Sequence, residues 1–172
     1  TEEEAHTVNS DGWIYGPGIP ENAPSPNSKE LDRVELAISQ ISNGTASPSE
    51  INTNGFTTHH WLYFLRGLKN MDADKLLALD KQFKFTETGN SEIACDWFKH
   101  CIENNYKPAY PALDQFLNSV GRRKFLQPLY ERLAKTPENL EWAKEVYKNA
   151  RSGYHSVSYN TIDEILGLAQ ES

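Results

Sequence analysis

The chain has 172 residues with 38% hydrophobic, 24% charged and 11% aromatic residues. This excludes a collagenous, low-complexity or wholly disordered protein, and the length fits one domain. The net charge of −7 disfavours binding to the phosphate backbone of a nucleic acid, so we expect no nucleic acid partner. No apolar run approaches the ~18 residues of a membrane span, so we expect a cytoplasmic protein with no membrane partner.

Residues 1–27 are predicted to form an extended arm. They contain few periodic apolar positions and many residues that break regular structure, namely Gly12, Gly16, Pro17, Gly18, Pro20, Pro24 and Pro26. Such a composition is typical of a linker between domains. Because the chain also begins at Thr1 without an initiator methionine, we expect it to be a piece of a longer protein, with the arm leaving a preceding domain.

Residues 28–172 are predicted to form a helical domain, because apolar residues recur there at steps of three and four. Asn27 with Glu30 predicts the start of the first helix. Later starts are predicted at Ser47-Pro48-Ser49-Glu50, at Thr136-Pro137-Glu138 and at Thr161 with Glu164. The pattern indicates eight to nine helices of roughly 10–16 residues with short connections.

The predicted fold class is therefore all-α. Short loops make neighbouring helices antiparallel, and a row of antiparallel helix pairs is an α-α superhelix of the HEAT or armadillo kind. A compact helical bundle is the alternative arrangement.

The chain has two cysteines, Cys95 and Cys101. On a helix this spacing separates them by about 240° around the axis, so we expect no disulfide between them. Both are predicted to be small buried hydrophobic residues of a protein from a reducing compartment.

No catalytic motif is present in the sequence. It has no His-Glu-x-x-His zinc pattern, no Gly-x-Ser-x-Gly nucleophile turn, no phosphate loop and no dinucleotide fingerprint. We therefore predict no catalytic residue, no metal site and no cofactor within this chain.

The densest positive run is Arg122-Arg123-Lys124, which follows Gly121. Because Pro128 is tolerated chiefly in the first turn of a helix, the cations are predicted to lie at or just before a helix N-terminus. Cations are unfavourable there unless an anion binds, and the candidates are a ligand carboxylate and a buried Asp or Glu of a neighbouring domain. The alternative is a set of surface charges that balance Glu131, Glu138 or Glu141.

Three segments resemble the leukotriene A(4) hydrolase and aminopeptidase B-like family of zinc aminopeptidases. Residues 12–20 are similar to its Trp-x-Tyr-x-Pro-Gly-x-Pro pattern, and residues 90–93 with Trp97 to its Asn-Ser-Glu-Ile segment. Residues 121–129 are similar to Gly-Arg-x-Lys-Phe-x-x-Pro-Leu. One departure concerns the path of the last helix, because the family commonly has proline where Ser156 follows His155.

The resemblance implies the C-terminal superhelix domain of a gluzincin aminopeptidase, with the zinc motif in a catalytic domain outside this chain. It implies that Arg122 and Lys124 bind the carboxylate of a peptide substrate, while Arg123 falls at a variable surface position. The implied partners are the enzyme's own N-terminal and catalytic domains and the peptide, and the chain alone is expected to be inactive. A free-standing helical scaffold for protein–protein interaction is the alternative function.

Overall fold

The computed structural model describes residues 29–168. The predicted arm and the cap at Asn27 lie outside this range. Within it there are eight α-helices and no strands, which confirms the all-α class. They are α1 (Lys29–Asn43), α2 (Thr58–Gly67), α3 (Ala73–Phe83), α4 (Ser91–Glu103), α5 (Tyr110–Ser119), α6 (Arg123–Leu133), α7 (Pro137–Ala150) and α8 (Ser156–Ile165). None of these helices combines the length and the apolar character that a bilayer crossing needs.

Alternate helices pack side by side in the compact unit that begins at Arg33. Helix α4 lies against α2 and α6, α6 also lies against α8, and α5 packs on α7. An ion pair between Glu92 and Lys124 joins the first turns of α4 and α6, and a 2.7 Å pair between Glu103 and Arg132 joins their last turns. The two helices therefore run parallel. The HEAT- or armadillo-like superhelix stays a prediction.

An aromatic cluster supports the connection into α4. The Trp61 ring lies 5.0 Å from that of Phe83 and 5.2 Å from that of Phe85, measured between centroids. Phe85 in turn lies 5.2 Å from Trp97, which is fully buried and donates its indole N–H to Thr86 at 2.9 Å. Burial of large rings with their donors satisfied is strongly stabilising, so the chain that leads into α4 is firmly held.

The two cysteines lie where the sequence predicts. Cys95 is 3% exposed, Cys101 is fully buried, and neither forms a disulfide. Burial raises the pKa of the Cys95 thiol to about 11. Both residues therefore act as parts of the core.

The helix start predicted at Ser47-Pro48-Ser49-Glu50 is wrong in extent. The capping box is present, but it begins only a single 3₁₀ turn, Pro48–Glu50. The side chain of Asn52 then accepts a hydrogen bond from the Asn54 amide at 3.1 Å, and Gly55 adopts a φ of 80°. Both features turn the chain away from a helix, which restarts only at Thr58.

The start predicted for the last helix is also wrong. Helix α8 begins at Ser156 with His155 as its N-cap, five residues before Thr161. The Thr161 hydroxyl donates to the Val157 carbonyl at 2.9 Å, which is a bond within a helix. The start predicted at Thr136 is confirmed, because its side chain caps α7 through the Asn139 amide.

Candidate carboxylate-binding site

The cation motif borders an open cavity of about 670 Å³. Its walls are the first turn of α4, the last turn of α5 and the start of α6. The lining residues are Gly89, Asn90, Ser91, Glu92, Ser119, Val120, Gly121, Arg122 and Phe125. Two of the segments that carry the family resemblance, residues 90–93 and 121–125, thus contribute to one cavity.

Arg122 is the N-cap of α6, as the sequence predicts for this cation run. Its backbone is extended, with φ −82° and ψ 121°, and its carbonyl accepts the Phe125 and Leu126 amides at 3.0 and 3.2 Å. Arg123 and Lys124 follow as the first two helical residues. Because the positive end of the helix dipole lies here, the position favours an anion.

The Arg122 side chain is available to a ligand. It is exposed, lines the cavity and has no hydrogen bond or ion pair with any residue in the range 29–168. A guanidinium is a planar fork that binds a carboxylate in a bidentate manner. The cavity therefore presents a cation whose geometry suits a carboxylate.

Lys124 is placed differently from Arg122. Its ammonium pairs with Glu92 and lies 4.7 Å from the centroid of the Phe125 ring, and Lys124 does not line the cavity. Arg123 is exposed, as expected, and does not line the cavity either.

The alternative prediction, that the three cations are surface charges balanced by Glu131, Glu138 or Glu141, is wrong about these partners. The three carboxylates contact other side chains: Glu131 accepts from Gln127, Glu138 pairs with Lys107 and Glu141 pairs with Lys144. The carboxylate that meets the cation run is Glu92 instead.

The first turn of α4 is fixed by Asn90. Its side-chain oxygen accepts the Glu92 amide at 3.0 Å and the Ile93 amide at 3.4 Å, while its side-chain N–H donates to Thr58 at 3.2 Å. These bonds satisfy helix-end donors and tie α4 to α2. Glu92 thus extends from a held backbone toward α6.

The sequence analysis assigns no function to two residues that contact the site. They are Glu92 and Ser158. Glu92 belongs to a resembling segment, but its pairing with Lys124 spans 32 positions and has no local sequence signal. The Ser158 hydroxyl donates to the Gly121 carbonyl at 2.8 Å, also from a distant helix.

The described residues do not fit a metal ion. No group of three or more His, Cys, Asp or Glu side chains lies close enough to hold one among residues 29–168. The zinc that the family resemblance implies has no ligand set in this part of the chain.

Residues 29–168 form an all-α domain with a cavity at the start of α6, and the one arginine that lines this cavity, Arg122, has no hydrogen bond or ion pair within that range. A family model described as "Leukotriene A4 hydrolase, C-terminal" matches residues 56–166, which include both segments at the cavity. The chain belongs to this family.

Curated relatives align along almost the whole chain. Proteins named leucine aminopeptidase 2 are 26% identical in Ajellomyces capsulatus, 22% in Chaetomium globosum and 24% in Pyricularia oryzae. The alignments cover 95–96% of this chain but only 27–28% of each relative. The chain thus corresponds to little more than a quarter of the length of these relatives.

Proposed function

We propose that this chain is the C-terminal domain of a zinc-dependent aminopeptidase, where it lines the active-site cleft and binds the carboxylate at the far end of a peptide substrate. Its partners are the enzyme's own N-terminal and catalytic domains. The relatives' name, leucine aminopeptidase 2, supports the reaction class. The observation that carries the site is Arg122, exposed in the cavity without an ionic partner in the described chain.

The role of the arginine is to position the peptide. Arg122 holds the substrate carboxylate, and this fixes the distance from the far end of the peptide to the scissile bond near its amino end. Lys124 adds positive potential near the same carboxylate, with a smaller effect because Glu92 shares its charge. The metal, when bound in the catalytic domain, supplies the polarisation of the scissile bond, so the 172-residue chain alone is inactive.

The test is the kinetics of Arg122→Ala in the complete polypeptide that contains this chain and the catalytic domain. We expect kcat/KM for tripeptides to fall roughly 30- to 800-fold, which corresponds to a loss of about 2–4 kcal/mol of transition-state stabilisation. Aminoacyl anilides, which have no carboxylate, should lose much less. Lys124→Ala should show the same selectivity with a smaller loss.

The neighbouring Arg123 supplies the matched control, because it is exposed and does not line the cavity. Arg123→Ala is expected to leave both substrate types nearly unchanged. Equal losses on tripeptides and anilides for Arg122→Ala, or equal effects of the two arginine variants, would reject the carboxylate role. Hydrolysis by the isolated chain would reject its proposed inactivity.

A further inference from the structure

The charges that line the cavity are few. Among its lining residues only Glu92 and Arg122 carry formal charge, and they have opposite signs. A cavity that is proposed to bind a carboxylate therefore already contains one.

The ionic partner of that carboxylate lies outside the cavity. The Lys124 ammonium pairs with Glu92, whose side chain is 42% exposed. The Lys124 ammonium does not line the cavity, so it weakens the negative potential of Glu92 there without removing it. Arg122 remains as the one cavity-lining cation without a partner in the described range. One unmatched cation is complementary to one carboxylate.

A second carboxylate on the ligand meets two obstacles at this site. It is repelled by Glu92, which lines the same cavity, and it finds the Lys124 ammonium already engaged. Like charges that oppose each other across an interface disfavour the wrong partner, and this is a common means of specificity.

We propose that Glu92 is a specificity-determining residue that selects against peptides with an acidic side chain at their C-terminal residue. The preferred substrates are peptides with one carboxylate at that end and a neutral or basic last side chain. This inference rests on the proposed function, because it requires the peptide carboxylate to lie on Arg122. The Asn90 cap holds the backbone of the first turn from which the Glu92 side chain extends.

The experiment compares kcat/KM for Ala-Ala-Ala and Ala-Ala-Asp with the complete polypeptide. The wild type is expected to prefer Ala-Ala-Ala. Glu92→Gln should raise the ratio of Ala-Ala-Asp to Ala-Ala-Ala by about tenfold, since it removes the repulsion and frees Lys124. Glu92→Asp keeps the charge and should keep most of the wild-type ratio.

Glu103 supplies the matched control. It pairs with Arg132 and so joins the same two helices at their other ends, away from the cavity. Glu103→Gln should leave the substrate ratio unchanged. Raising the salt concentration from about 0.05 to about 0.5 M should narrow the wild-type preference, because these charges are partly exposed.

The outcomes separate this inference from the proposed function. If Arg122→Ala reduces both tripeptides but Glu92→Gln leaves their ratio unchanged, the selectivity role is wrong and the carboxylate site stands. If Arg122→Ala affects neither tripeptide, the proposed function is wrong. An equal rise in the ratio for Glu92→Gln and Glu103→Gln would also overturn the inference, because it would be a general effect of lost negative charge.

Discussion

The hydroxyl of Ser158 donates a 2.8 Å hydrogen bond to the carbonyl of Gly121, the residue immediately before Arg122. Ser158 lies in α8 and is 2% exposed, while Gly121 is half-buried, so the bond is shielded from water on its donor side. The loop that begins α6 is therefore held by a helix 37 positions further along the chain. Ser158 acts on the site as a positioning residue, through the backbone that carries the arginine.

Replacing Ser158 with alanine is expected to reduce the free energy of unfolding by about 1–2 kcal/mol, because the partly buried Gly121 carbonyl loses its donor. In the complete enzyme we also expect KM for tripeptides to rise more than KM for anilides, since the placement of Arg122 is relaxed. Urea unfolding and steady-state kinetics measure the two effects. Thr161→Ala is the control, because its exposed hydroxyl bonds only within α8. A loss of stability with unchanged substrate selectivity would reject the positioning role.

Asp96 is a buried carboxylate at the packing of α2 on α4. It is 3% exposed and accepts Arg66 Nε at 2.6 Å and Lys99 Nζ at 2.5 Å. Asp96→Asn is expected to lower the free energy of unfolding by about 1–3 kcal/mol, since two charge-assisted bonds are weakened while both cations can still reach water.

Glu141 provides the comparison for Asp96, because its pair with Lys144 is on the surface and its side chain is 71% exposed. Glu141→Gln should change stability by less than about 0.5 kcal/mol. Urea unfolding at neutral pH measures the change in the free energy of unfolding for both substitutions. Equal effects of the two substitutions would contradict the assignment of Asp96 to the core.

Asp163 links α8 to the end of α7. Its carboxylate accepts two bonds from Arg151, at 3.1 and 2.7 Å, and one from the Tyr147 hydroxyl at 2.7 Å. The hydrogen bonds from Arg151, followed by the bond from Tyr147, hold the pKa of Asp163 below its ordinary value of 3.8.

When the pKa of a carboxyl group is lower in the folded protein than in the unfolded one, the ionised group stabilises the folded state. This stabilisation is complete at pH values above the unfolded-state pKa, and it is lost as the pH falls through the folded-state pKa. The difference in unfolding free energy between wild type and Asp163→Asn should therefore be largest at neutral pH and should shrink below pH 3.8. Thermal unfolding over a pH series measures it. A difference that grows on acidification would show that the sign is wrong.

Local patterns in the sequence are sufficient for much of this fold. The apolar period predicts an all-α chain, and Thr136-Pro137 predicts the start of α7. The cation run is predicted at or just before a helix N-terminus and lies there, although Pro128 is the sixth residue of α6 and not part of its first turn. These features depend on neighbours within one or two turns, so the sequence contains their causes.

Long-range contacts are the part that local patterns do not predict. The pairing of Lys124 with Glu92 and the bond from Ser158 to Gly121 depend on which helices become neighbours. The predicted start of the last helix is wrong for a related reason. Thr161 with Glu164 has the pattern of a helix cap, but Thr161 lies inside α8. Only the packed structure distinguishes a capping pattern from the same residues inside a helix.

The ion pairs at the two ends of α4 and α6 have a mechanical consequence. Surface pairs contribute little energy, about 0–1 kcal/mol each, but their placement restricts motion. Sliding one helix by a turn, about 5.4 Å, separates both pairs, and pivoting about either pair separates the other. The two pairs therefore favour the observed parallel register of α4 and α6 together, since any shifted register loses both of them at once.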